Sequence, residues 1–434
     1  MSPVTLGVIG IAAVLLLMAL RMQIGFAMAV IGFLGFAVLN SFPSAFSVLG
    51  HEPFKTAGSY GLSVIPLFML MGQFAFISRM GAEAYKTLYY WIGFLPGGLA
   101  MATIGACSFF AAISGSSLAT AATMGMVALP EMRKFKYSDE LATGCLAAGG
   151  TLGILIPPST VLMIYGILTQ QSIAELFIAG FIPGIILSLL FILTIYITAR
   201  VWPEQGPPGP RFTFPERVRS LKEPWGIFAL FLLVIGGLYA GWFTPTEAAA
   251  VGAFGAFLIT LIKGRLTWKT LVESLMEASK ATGMIFGILI GAYILQYFLT
   301  ISQITDHLVG WVVGMGLNRY IVMCILIVIY LILGCLMEGL SIIILTIPIT
   351  YPLILKMGFD PIWFGVMITV LIEMGLITPP VGVNVFVIAG VAKDVPMYRI
   401  FRGIVPFIFA MLVLIALLLI FPQMALYLPH TMSR

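Results

Sequence analysis

Two Pro-Pro pairs interrupt apolar stretches of the sequence, and their type and spacing could do chemistry. Pro157 and Pro158 lie in GILIPPST, and Pro379 and Pro380 lie in LITPPVGV. Proline breaks a helix interior, so carbonyls before the break lose their donors and N–H groups after it stay free. Such carbonyls can coordinate a hard cation like Na⁺, and such N–H groups can hold a carboxylate. A simple proline kink is the alternative, but two breaks at matched positions favour an ion and substrate site.

A stretch of small and hydroxyl residues, AAISGSSLATAATMG, precedes the first break at residues 111–125. A chain reversal inside a membrane needs glycine, and the backbone groups that it frees need partners or water. Gly115 can supply the turn, and Ser114, Ser116 and Ser117 can supply hydroxyl oxygens. The alternative is a face of small residues that packs against another helix. Because the stretch lies beside GILIPPST, we expect it to form part of the site.

Three acids lie in apolar surroundings, and we interpret one as structural and two as candidates. Glu247 follows Thr244 and Pro245 at the spacing of a capping box, so it is predicted to cap a helix. Glu338 in CLMEGLS and Glu373 in an apolar segment are candidates for contact with ion or substrate, because acids inside membranes are rare and often functional. Hydrogen bonding within the fold, or exposure at the outer mouth, is the alternative for both.

The composition predicts the fold class. Of the 434 residues, 61% are hydrophobic and only 9% are charged, against roughly 25% charged in a typical soluble protein. Apolar runs of about 17–25 residues, long enough to cross a bilayer, recur along the chain. The sequence therefore predicts an all-α polytopic membrane protein. We expect four shorter apolar pieces to be half-spans or hairpin arms, namely 117–130, 158–169, 340–355 and 381–392.

No signature of an enzyme, an ATPase or a nucleic-acid-binding protein stands in the sequence. The dipeptide GK never occurs, which excludes a Walker A loop, and SGSSL does not match the G-x-S-x-G nucleophile elbow. The net charge of +5 is more typical of basic loops in a membrane protein than of a nucleic-acid partner. We therefore expect no catalytic residues and no cofactor, and a polytopic membrane enzyme is the least favoured class.

The two halves of the chain match when one is shifted by 222 residues, the separation of Pro157 and Pro379. The same shift carries Gly153 onto Gly375. Matched breaks in two halves are the sequence pattern of an inverted-repeat transporter. We therefore predict two broken helices and two re-entrant hairpins, the hairpins lying at 97–130 and 321–355.

The basic residues test whether the repeats are inverted. If the N-terminus lies outside, all but four of the 22 Lys and Arg residues fall on one side of the membrane. The four exceptions are Lys55, Arg319, Lys356 and Arg434. This asymmetry predicts a cytoplasmic position for the first hairpin, an outer position for the second, and periplasmic N- and C-termini.

Two amphipathic segments are typical of helices that lie along a membrane surface. GRLTWKTLVESLMEASK at 264–280 places apolar and charged residues on different faces. MGAEAYKTLYYWIGF at 80–94 is predicted to occupy the matching position in the first half, as the first of two arm helices.

Five stretches spread over nearly the whole chain are together the most specific feature of the sequence. They are IPLFMLMGQFAF (65–76), LPGGLAMATIGACSFFAAISGSSLATAATMG (95–125), GTLGILIPPS (150–159), GLYAGWFTPTEAAAVGAF (237–254) and GLITPPVGVNVFV (375–387). They resemble the large membrane subunit of tripartite ATP-independent periplasmic (TRAP) transporters, the DctM-like family. The resemblance implies an elevator-type transporter in which a scaffold holds a mobile transport domain, with transport driven by a Na⁺ gradient.

The resemblance implies a division of the chain into scaffold and transport segments. The predicted segments are 1–96 (scaffold helices and first arm), 97–199 (first transport repeat), 200–224 (cytoplasmic loop), 225–306 (scaffold helices and second arm), 307–422 (second transport repeat) and 423–434 (outer tail).

The resemblance also places the binding site at the hairpin tips and the helix breaks. The candidate sodium- and substrate-binding residues are Ser114, Gly115, Ser116, Ser117, Gly153, Ile156, Pro157, Glu338, Gly339, Gly375, Thr378, Pro379, Gly382 and Asn384. Sodium is expected to bind backbone carbonyls and hydroxyls near Ser116, Gly153, Gly339 and Thr378.

Three partners follow from the resemblance. We expect a soluble periplasmic binding protein that delivers the substrate, a small DctQ-like membrane subunit, and an organic anion such as a C4-dicarboxylate or sialic acid, the sialic acid branch being the one suggested. Because residue 1 begins the large subunit directly, the small subunit is expected to be a separate chain. The expected location is the lipid bilayer of a bacterial inner membrane. A stand-alone ion-coupled carboxylate carrier without a binding protein is the rival hypothesis.

Overall fold

Every regular element in residues 2–432, the part of the chain that the computed structural model describes, is a helix. The first half contains α1 (Pro3–Ala19), α2 (Ile24–Leu39), α3 (Phe42–Ala57), a 3₁₀ turn (Tyr60–Ser63), α4 (Val64–Ile77), α5 (Met80–Ile92), α6 (Gly98–Ser114), α7 (Ser117–Lys134), α8 (Asp139–Leu155), α9 (Thr160–Thr169) and α10 (Ile173–Val201). The second half contains α11 (Phe214–Ser220), α12 (Trp225–Phe231), a π-helical turn (Leu232–Gly236), α13 (Gly237–Tyr239), α14 (Pro245–Ile262), α15 (Trp268–Ser302), α16 (Ile304–Gly314), α17 (Arg319–Leu336), α18 (Gly339–Lys356), α19 (Pro361–Gly375), α20 (Val383–Val391), α21 (Met397–Ile420) and α22 (Gln423–Thr431).

The predicted membrane class is confirmed. Within residues 2–432, eight helical segments are long and apolar enough to cross a membrane, and a bent pair formed by α11 with α12 and α13 gives a ninth if it counts as one span. The chain is therefore an all-α, multi-pass membrane protein. Arg434, one of the four exceptions in the charge analysis, lies outside the described residues.

The 222-residue repeat is visible in the bounds of the helices. The shift carries α7 onto the bounds of α18, and it carries Asp139, the first residue of α8, onto Pro361, the first residue of α19. The shift also carries α2 onto α14 and α4 onto the later part of α15. The packing follows the same relation, because α2 packs against α15 and α14 packs against α4. A Cβ added to Gly291 of α15 would lie only 2.1 Å from the carbonyl oxygen of Gly25 in α2. The backbones of α2 and α15 therefore touch, and no larger side chain fits between them.

The two amphipathic segments differ from the prediction in their bounds and in their matching, and their position along the membrane surface stays a prediction. α15 runs without interruption from Trp268 to Ser302, so the segment 264–280 is continuous with the apolar span that follows it. The change from charged to apolar residues near 280 alters the surroundings of the helix but includes no proline that would end it. In the 222-residue shift, the start of α15 matches α3, a helix that was not predicted from the sequence. The same shift matches α5 to α16. The segment 80–94 is therefore not the counterpart of 264–280.

The four pieces predicted as half-spans or hairpin arms are all helices, of which α9 and α20 are short, whereas α7 and α18 are the second arms of the two hairpins. α9 has 10 residues and α20 has 9, whereas α7 and α18 have 18 each. α18 is also apolar enough to cross a membrane. The prediction ended α7 at Pro130, but the helix continues to Lys134, whereas the predicted end of α18 at residue 355 lies within one residue of Lys356. A proline removes one hydrogen bond, and packing on both sides of it can hold the helix together.

The loop 200–224 contains α11 and lies against the first arm region. Thr87 of α5 donates a hydrogen bond to the carbonyl of Ser220 at 2.8 Å, and the indole of Trp91 donates to the carbonyl of Arg217 at 3.1 Å. The loop therefore folds on α5, as expected of a segment too short to fold alone. The tail after residue 422 forms α22 and packs against α10.

The structural role predicted for Glu247 is confirmed. Its carboxylate accepts hydrogen bonds from the backbone N and the hydroxyl of Thr244 at 2.8 and 2.9 Å, which is a capping box at the start of α14. The acid therefore stabilises a scaffold helix.

Candidate substrate and ion site

The first hairpin reverses direction at Gly115, between α6 and α7. Gly115 has a φ of 61°, in the left-handed region that favours glycine. Ser116 follows as the N-cap of α7, and its Oγ accepts a hydrogen bond from the backbone N of Ala119 at 3.3 Å. The hydroxyl of Thr160 donates to the carbonyl of Gly115 at 3.0 Å. The hairpin tip is therefore tied to the first residue of α9.

The first break separates α8 from α9 and is buried. Pro157 and Pro158 have no N–H groups, so the carbonyls of Gly153 and Ile154 lose the donors that a continuous helix would supply. A Cβ added to Gly153 would lie 2.5 Å from the carbonyl oxygen of Ser116. Glycine therefore allows the broken helix and the hairpin tip to touch.

A void of about 10 Å³ lies between this break and the hairpin tip. Its walls include Ser114, Gly115, Ser159 and Thr160. The Oγ of Ser114 lies 2.9 Å from the hydroxyl of Thr120. A space of this size holds roughly one water molecule or one small ion. Five apolar residues, Phe68, Met69, Ile113, Pro158 and Met163, complete the wall, so oxygens make up only part of it.

The second hairpin, formed by α17 and α18, has its tip at Glu338. Glu338 is the N-cap of α18, the position that the 222-residue shift matches to Ser116, and its carboxylate makes no capping hydrogen bond. A Cβ added to Gly375 of α19 would lie 2.4 Å from the Cα of Gly334 in α17. The second hairpin therefore also touches its broken helix through glycine backbone.

The second break, between α19 and α20, differs from the first in its exposure and in its hydrogen bonds. Pro379 and Pro380 are exposed. The carbonyl of Gly375 accepts from the backbone N of Thr378 at 3.0 Å. The carbonyl of Leu376, which would accept from residue 380 in a continuous helix, accepts instead from the backbone N of Asn384 at 3.1 Å. Both carbonyls that lose helical donors to the prolines therefore find new ones.

A cavity of about 170 Å³ lies where both hairpin tips and both broken helices meet. Its lining consists of Ser116, Ser117, Leu118, Ile154 and Thr160 from the first repeat, Glu338, Gly339, Leu340, Leu376 and Val383 from the second, and Met69, Ala281, Met284 and Ile285 from α4 and α15. α7 and α18 both begin at this cavity, and a helix N-terminus favours a bound anion. Among these lining residues, Glu338 is the only one that carries a charge.

A buried polar cluster lies behind the cavity wall at Ser117. The hydroxyl of Ser117 donates to Oε1 of Glu373 at 2.5 Å, and both side chains are fully buried. A Cβ added to Gly150 would lie 3.2 Å from both the Nδ2 of Asn384 and the carbonyl oxygen of Ser117, so these groups are neighbours. Within residues 2–432, Oε2 of Glu373 and Oδ1 of Asn384 have no hydrogen-bond partner. Buried polar atoms normally have one, so these two oxygens are available to a ligand.

Comparison with known proteins decides the family. The family described as tripartite ATP-independent periplasmic transporter, DctM component, matches residues 11–424. The chain belongs to the DctM family. It is therefore the large permease subunit of a TRAP transporter and not an enzyme, and the resemblance found in the sequence is confirmed.

The relatives of this DctM-family permease differ in what their names say they transport. The chain is 36% identical over 390 residues to the C4-dicarboxylate TRAP transporter large permease protein DctM of Pseudomonas aeruginosa, covering 89% of this chain and 90% of the relative. It is 29% identical over 411 residues to the sialic acid TRAP transporter large permease protein SiaM of Vibrio cholerae, covering 94% and 95%.

A solved structure resembles the DctM-family chain in fold. The crystal structure of the Alcanivorax borkumensis YdaH transporter matches with a TM-score of 0.63 at 12% identity, covering 90% of this chain and 88% of that one. At so low an identity the likeness concerns the fold alone.

The predicted site residues of this DctM-family permease divide into two groups. Ser116, Ser117, Glu338 and Gly339 line the cavity, and Ser114 and Gly115 line the small void. The remaining eight line neither space: Gly153, Ile156, Pro157, Gly375, Thr378, Pro379, Gly382 and Asn384.

The second group shapes the breaks around the cavity. Ile156 packs against Gly184 of α10, where a Cβ would lie 2.6 Å from Cγ1 of Ile156. The hydroxyl of Thr378 donates to the carbonyl of Met374 at 2.6 Å. Gly382 has a φ of 62°, which lets the chain turn into α20. In this conformation these residues position the backbone of the breaks.

Sequence reasoning missed the contribution of the scaffold to the cavity. Met69 of α4 and Met284 of α15 lie in long apolar helices, where nothing in the pattern separates a cavity residue from a lipid-facing one. Thr160 could have been found, because it is a hydroxyl that directly follows Pro-Pro-Ser. For Glu373, the alternative of a hydrogen bond within the fold is observed, and only one of its oxygens is used.

Proposed function

We propose that this TRAP permease subunit moves a small organic anion into the cell together with Na⁺, through the cavity between the two hairpins. The observation that carries the proposal is the convergence of both hairpin tips and both broken helices on one space of about 170 Å³. Sites at the interface of two repeats with broken helices are typical of ion-coupled secondary transporters.

Sodium is the coupling ion that the donor atoms favour. Ser114 and Gly115 at the small void carry hydroxyl and carbonyl oxygens, and backbone carbonyls of unwound segments are known ligands of Na⁺ in transporters. The unpartnered Oε2 of Glu373 and Oδ1 of Asn384 add two buried oxygens behind Ser117. The candidate ligands near Ser116, Gly153, Gly339 and Thr378 complete the proposed donor set.

The substrate is proposed to be an anion even though no basic side chain lines the cavity. The N-termini of α7 and α18 supply free N–H groups and the positive ends of two helix dipoles, and a bound Na⁺ adds a further positive charge. The small cavity and the higher identity to a C4-dicarboxylate permease favour a small acid of the C4-dicarboxylate type over the bulkier sialic acid.

We place this function in a three-component system in a bacterial inner membrane. A periplasmic binding protein delivers the anion, and a small membrane subunit completes the permease. The hairpins and broken helices move as an elevator against the scaffold helices. Both termini are periplasmic, an orientation that rests on the distribution of Lys and Arg.

Reconstitution in liposomes tests the proposal. With the small subunit and the binding protein present, uptake of a C4-dicarboxylate should require an inward Na⁺ gradient. Uptake of free anion by this chain alone would establish the rival stand-alone carrier. Equal uptake with a K⁺ gradient of the same size would refute the Na⁺ coupling.

Two hydroxyl variants test the proposed ligands. Ser116→Ala and Thr378→Ala should raise the Na⁺ concentration for half-maximal uptake. Thr194→Ala is the matched control, because the hydroxyl of Thr194 also donates to a carbonyl of its own helix at 2.8 Å but lies in α10, away from the cavity. An unchanged Na⁺ requirement in the first two variants would remove their hydroxyls from the ligand set.

A further inference from the structure

A charged pocket of about 470 Å³ lies at the ends of several helices, separate from the transport cavity. Its lining, called the basic pocket below, consists of Arg79, Ala82, Glu83, Lys86, Lys222, Glu223, Trp225, Lys263 and Arg265. Five of these residues are cations and two are acids, so the lining carries a formal charge of +3. None of them lines the cavity between the hairpins.

The basic pocket lies at the depth where scaffold helices leave the membrane. α4 and α14 run side by side, since the hydroxyl of Thr260 near the end of α14 donates to the carbonyl of Phe74 near the end of α4 at 3.1 Å. Arg79 follows α4 by two residues, and Lys263 is the C-cap of α14. α12 begins at Trp225, beside this point. The cations therefore lie where these spans end, which is the level of lipid headgroups.

The acids of the basic pocket neutralise only part of its positive charge. Glu83 pairs with Lys263 and with Arg265, and the carboxylate of Glu223 lies 2.6 Å from the Nζ of Lys86. Arg79 and Lys222, by contrast, are exposed and have no acidic partner within residues 2–432. An anion that binds between them would relieve the repulsion among these cations.

Exposed apolar side chains continue from the basic pocket towards the membrane interior. Phe76 precedes Arg79 in the chain and is 43% exposed, and Ile262 precedes Lys263 and is 71% exposed. Trp225 and Phe228 at the start of α12 are 44% and 42% exposed. Tryptophan is enriched at the membrane interface because one end of it is apolar and the other polar. Charge and apolar surface are thus arranged in the order in which a phospholipid presents them.

We propose that the basic pocket binds the phosphate of an anionic phospholipid headgroup, with the acyl chains lying along Phe76, Ile262 and Phe228. Basic pockets between membrane helices bind such headgroups. The guanidinium of Arg79 matches the geometry of a phosphate, and the ammonium of Lys222 adds a second positive charge. The bound lipid holds the ends of α4, α14 and α12 together at the base of the scaffold.

Lipid binding to the purified permease tests this proposal. Native mass spectrometry is used to count phosphatidylglycerol retained by the wild type and by the double variant Arg79→Gln/Lys222→Gln, with phosphatidylcholine as the neutral lipid. The matched control is Arg21→Gln/Lys136→Gln, which also removes one exposed Arg and one exposed Lys without acidic partners, but outside the pocket. The pocket variant should bind phosphatidylglycerol about 10- to 30-fold more weakly, and the control should match the wild type.

Three results would overturn the proposal. The first is equal retention of phosphatidylglycerol by the pocket variant and the control. The second is equal retention of the two lipids by the wild type. The third is displacement of the lipid by soluble glycerol phosphate at matched concentration, which would assign the pocket to a free phosphate. If the double variant does not fold, Lys222→Gln alone is compared with Lys136→Gln in the same assay. A stabilising shift in the melting temperature of the wild type by phosphatidylglycerol, and not by phosphatidylcholine, is the supporting result that needs no variant.

Discussion

The two broken helices occupy equivalent positions in the two repeats, but the first is enclosed by protein whereas the second reaches the surface. Around Pro157 and Pro158 every residue is buried, and the carbonyl of Gly153 loses its helical donor to proline. Around Pro379 and Pro380 the prolines are exposed, and the carbonyl of Gly375 has found a new donor. Both breaks contain a Pro-Pro pair, but four residues separate α8 from α9 and seven separate α19 from α20.

This difference between the two breaks indicates that the two repeats have different roles in the site. The first repeat holds a void of about 10 Å³ whose wall combines hydroxyl and apolar residues, and its volume suits one small ion. The second repeat supplies the acids, Glu338 at the hairpin tip and Glu373 behind the cavity wall, where the first has Ser116 and Thr151. An inverted repeat can thus provide two equivalent breaks and still use them unequally.

The largest expected effect comes from filling the contact between the first break and the first hairpin. In Gly153→Ala, the new Cβ would meet the carbonyl oxygen of Ser116 at 2.5 Å, which forces the hairpin tip away. Uptake should fall by about 100-fold, since overpacking of this kind costs up to about 3 kcal/mol. The measurement is Na⁺-driven uptake in liposomes. Gly390→Ala in α20 is the control, because nothing lies within 4 Å of its added Cβ, and equal losses in both variants would contradict the assignment.

The next effect compares the acid of the second repeat with its counterpart in the first. Glu373→Gln keeps an acceptor for Ser117 but removes a carboxylate that a bound Na⁺ would hold ionised, so the Na⁺ concentration for half-maximal uptake should rise about tenfold. Thr151 occupies the equivalent position, and its hydroxyl donates to the carbonyl of Ala148 in its own helix at 2.6 Å. Thr151→Ala should therefore leave the Na⁺ requirement unchanged. If both variants behave alike, the charge of Glu373 has no part in Na⁺ binding.

A smaller effect should separate the two breaks themselves. Pro157→Ala restores an N–H that can bond the carbonyl of Gly153 and withdraw it from a cation, so Na⁺ affinity should fall about tenfold. In Pro379→Ala the carbonyl of Gly375 is already bonded, and the loss should be about threefold or less. Na⁺ titration of uptake measures both. A larger loss for Pro379→Ala would reverse the order of importance argued for the two breaks.

The smallest effect concerns an ion pair that joins the repeats at the surface. The guanidinium of Arg133 at the end of α7 lies 2.7 Å from the carboxylate of Asp394 after α20, and this hydrogen bonding lowers the pKa of Asp394. A lowered pKa contributes stability above the ordinary Asp value, and that contribution is lost as the pH falls through the lowered one. Asp394→Asn should therefore lower the melting temperature by about 1 °C at pH 7, because the pair is exposed. The difference from wild type should shrink as the pH falls below the ordinary Asp pKa of about 3.9, and a constant difference at all pH values would exclude the ion pair as its cause.

Much of the fold was predictable because the residues that begin, break and end helices act locally. Proline pairs, glycine turns and the capping box at Thr244 and Glu247 act through neighbouring residues, and the structure has each of them where the sequence predicts. The unbroken course of α15 and the helix α3 were not predictable in this way. Both depend on packing against distant elements, which a local change from charged to apolar residues does not reveal.

The site was predictable where it consists of backbone breaks and hydroxyls, and not where it depends on contacts across the repeats. The hydrogen bond between Ser117 and Glu373 joins residues 256 positions apart. The proximity of Asn384 to Gly150 depends on how α20 packs against α8. The contribution of Ala281 and Met284 to the cavity likewise comes from the scaffold and carries no sequence signal.

The unbroken length of α15 provides a series of regularly spaced positions beside the cavity, against which a displacement of the hairpins can be measured. Its 35 residues extend for about 50 Å at 1.5 Å per residue, and the cavity meets it at Ala281, Met284 and Ile285. Travel of the hairpins by one helical turn, about 5.4 Å, would bring Ile288 and Leu289 to the same place. If the hairpins move against α15 as proposed, cysteines at successive turns of this helix, each paired with one at the hairpin tip, would measure that movement in steps of one turn.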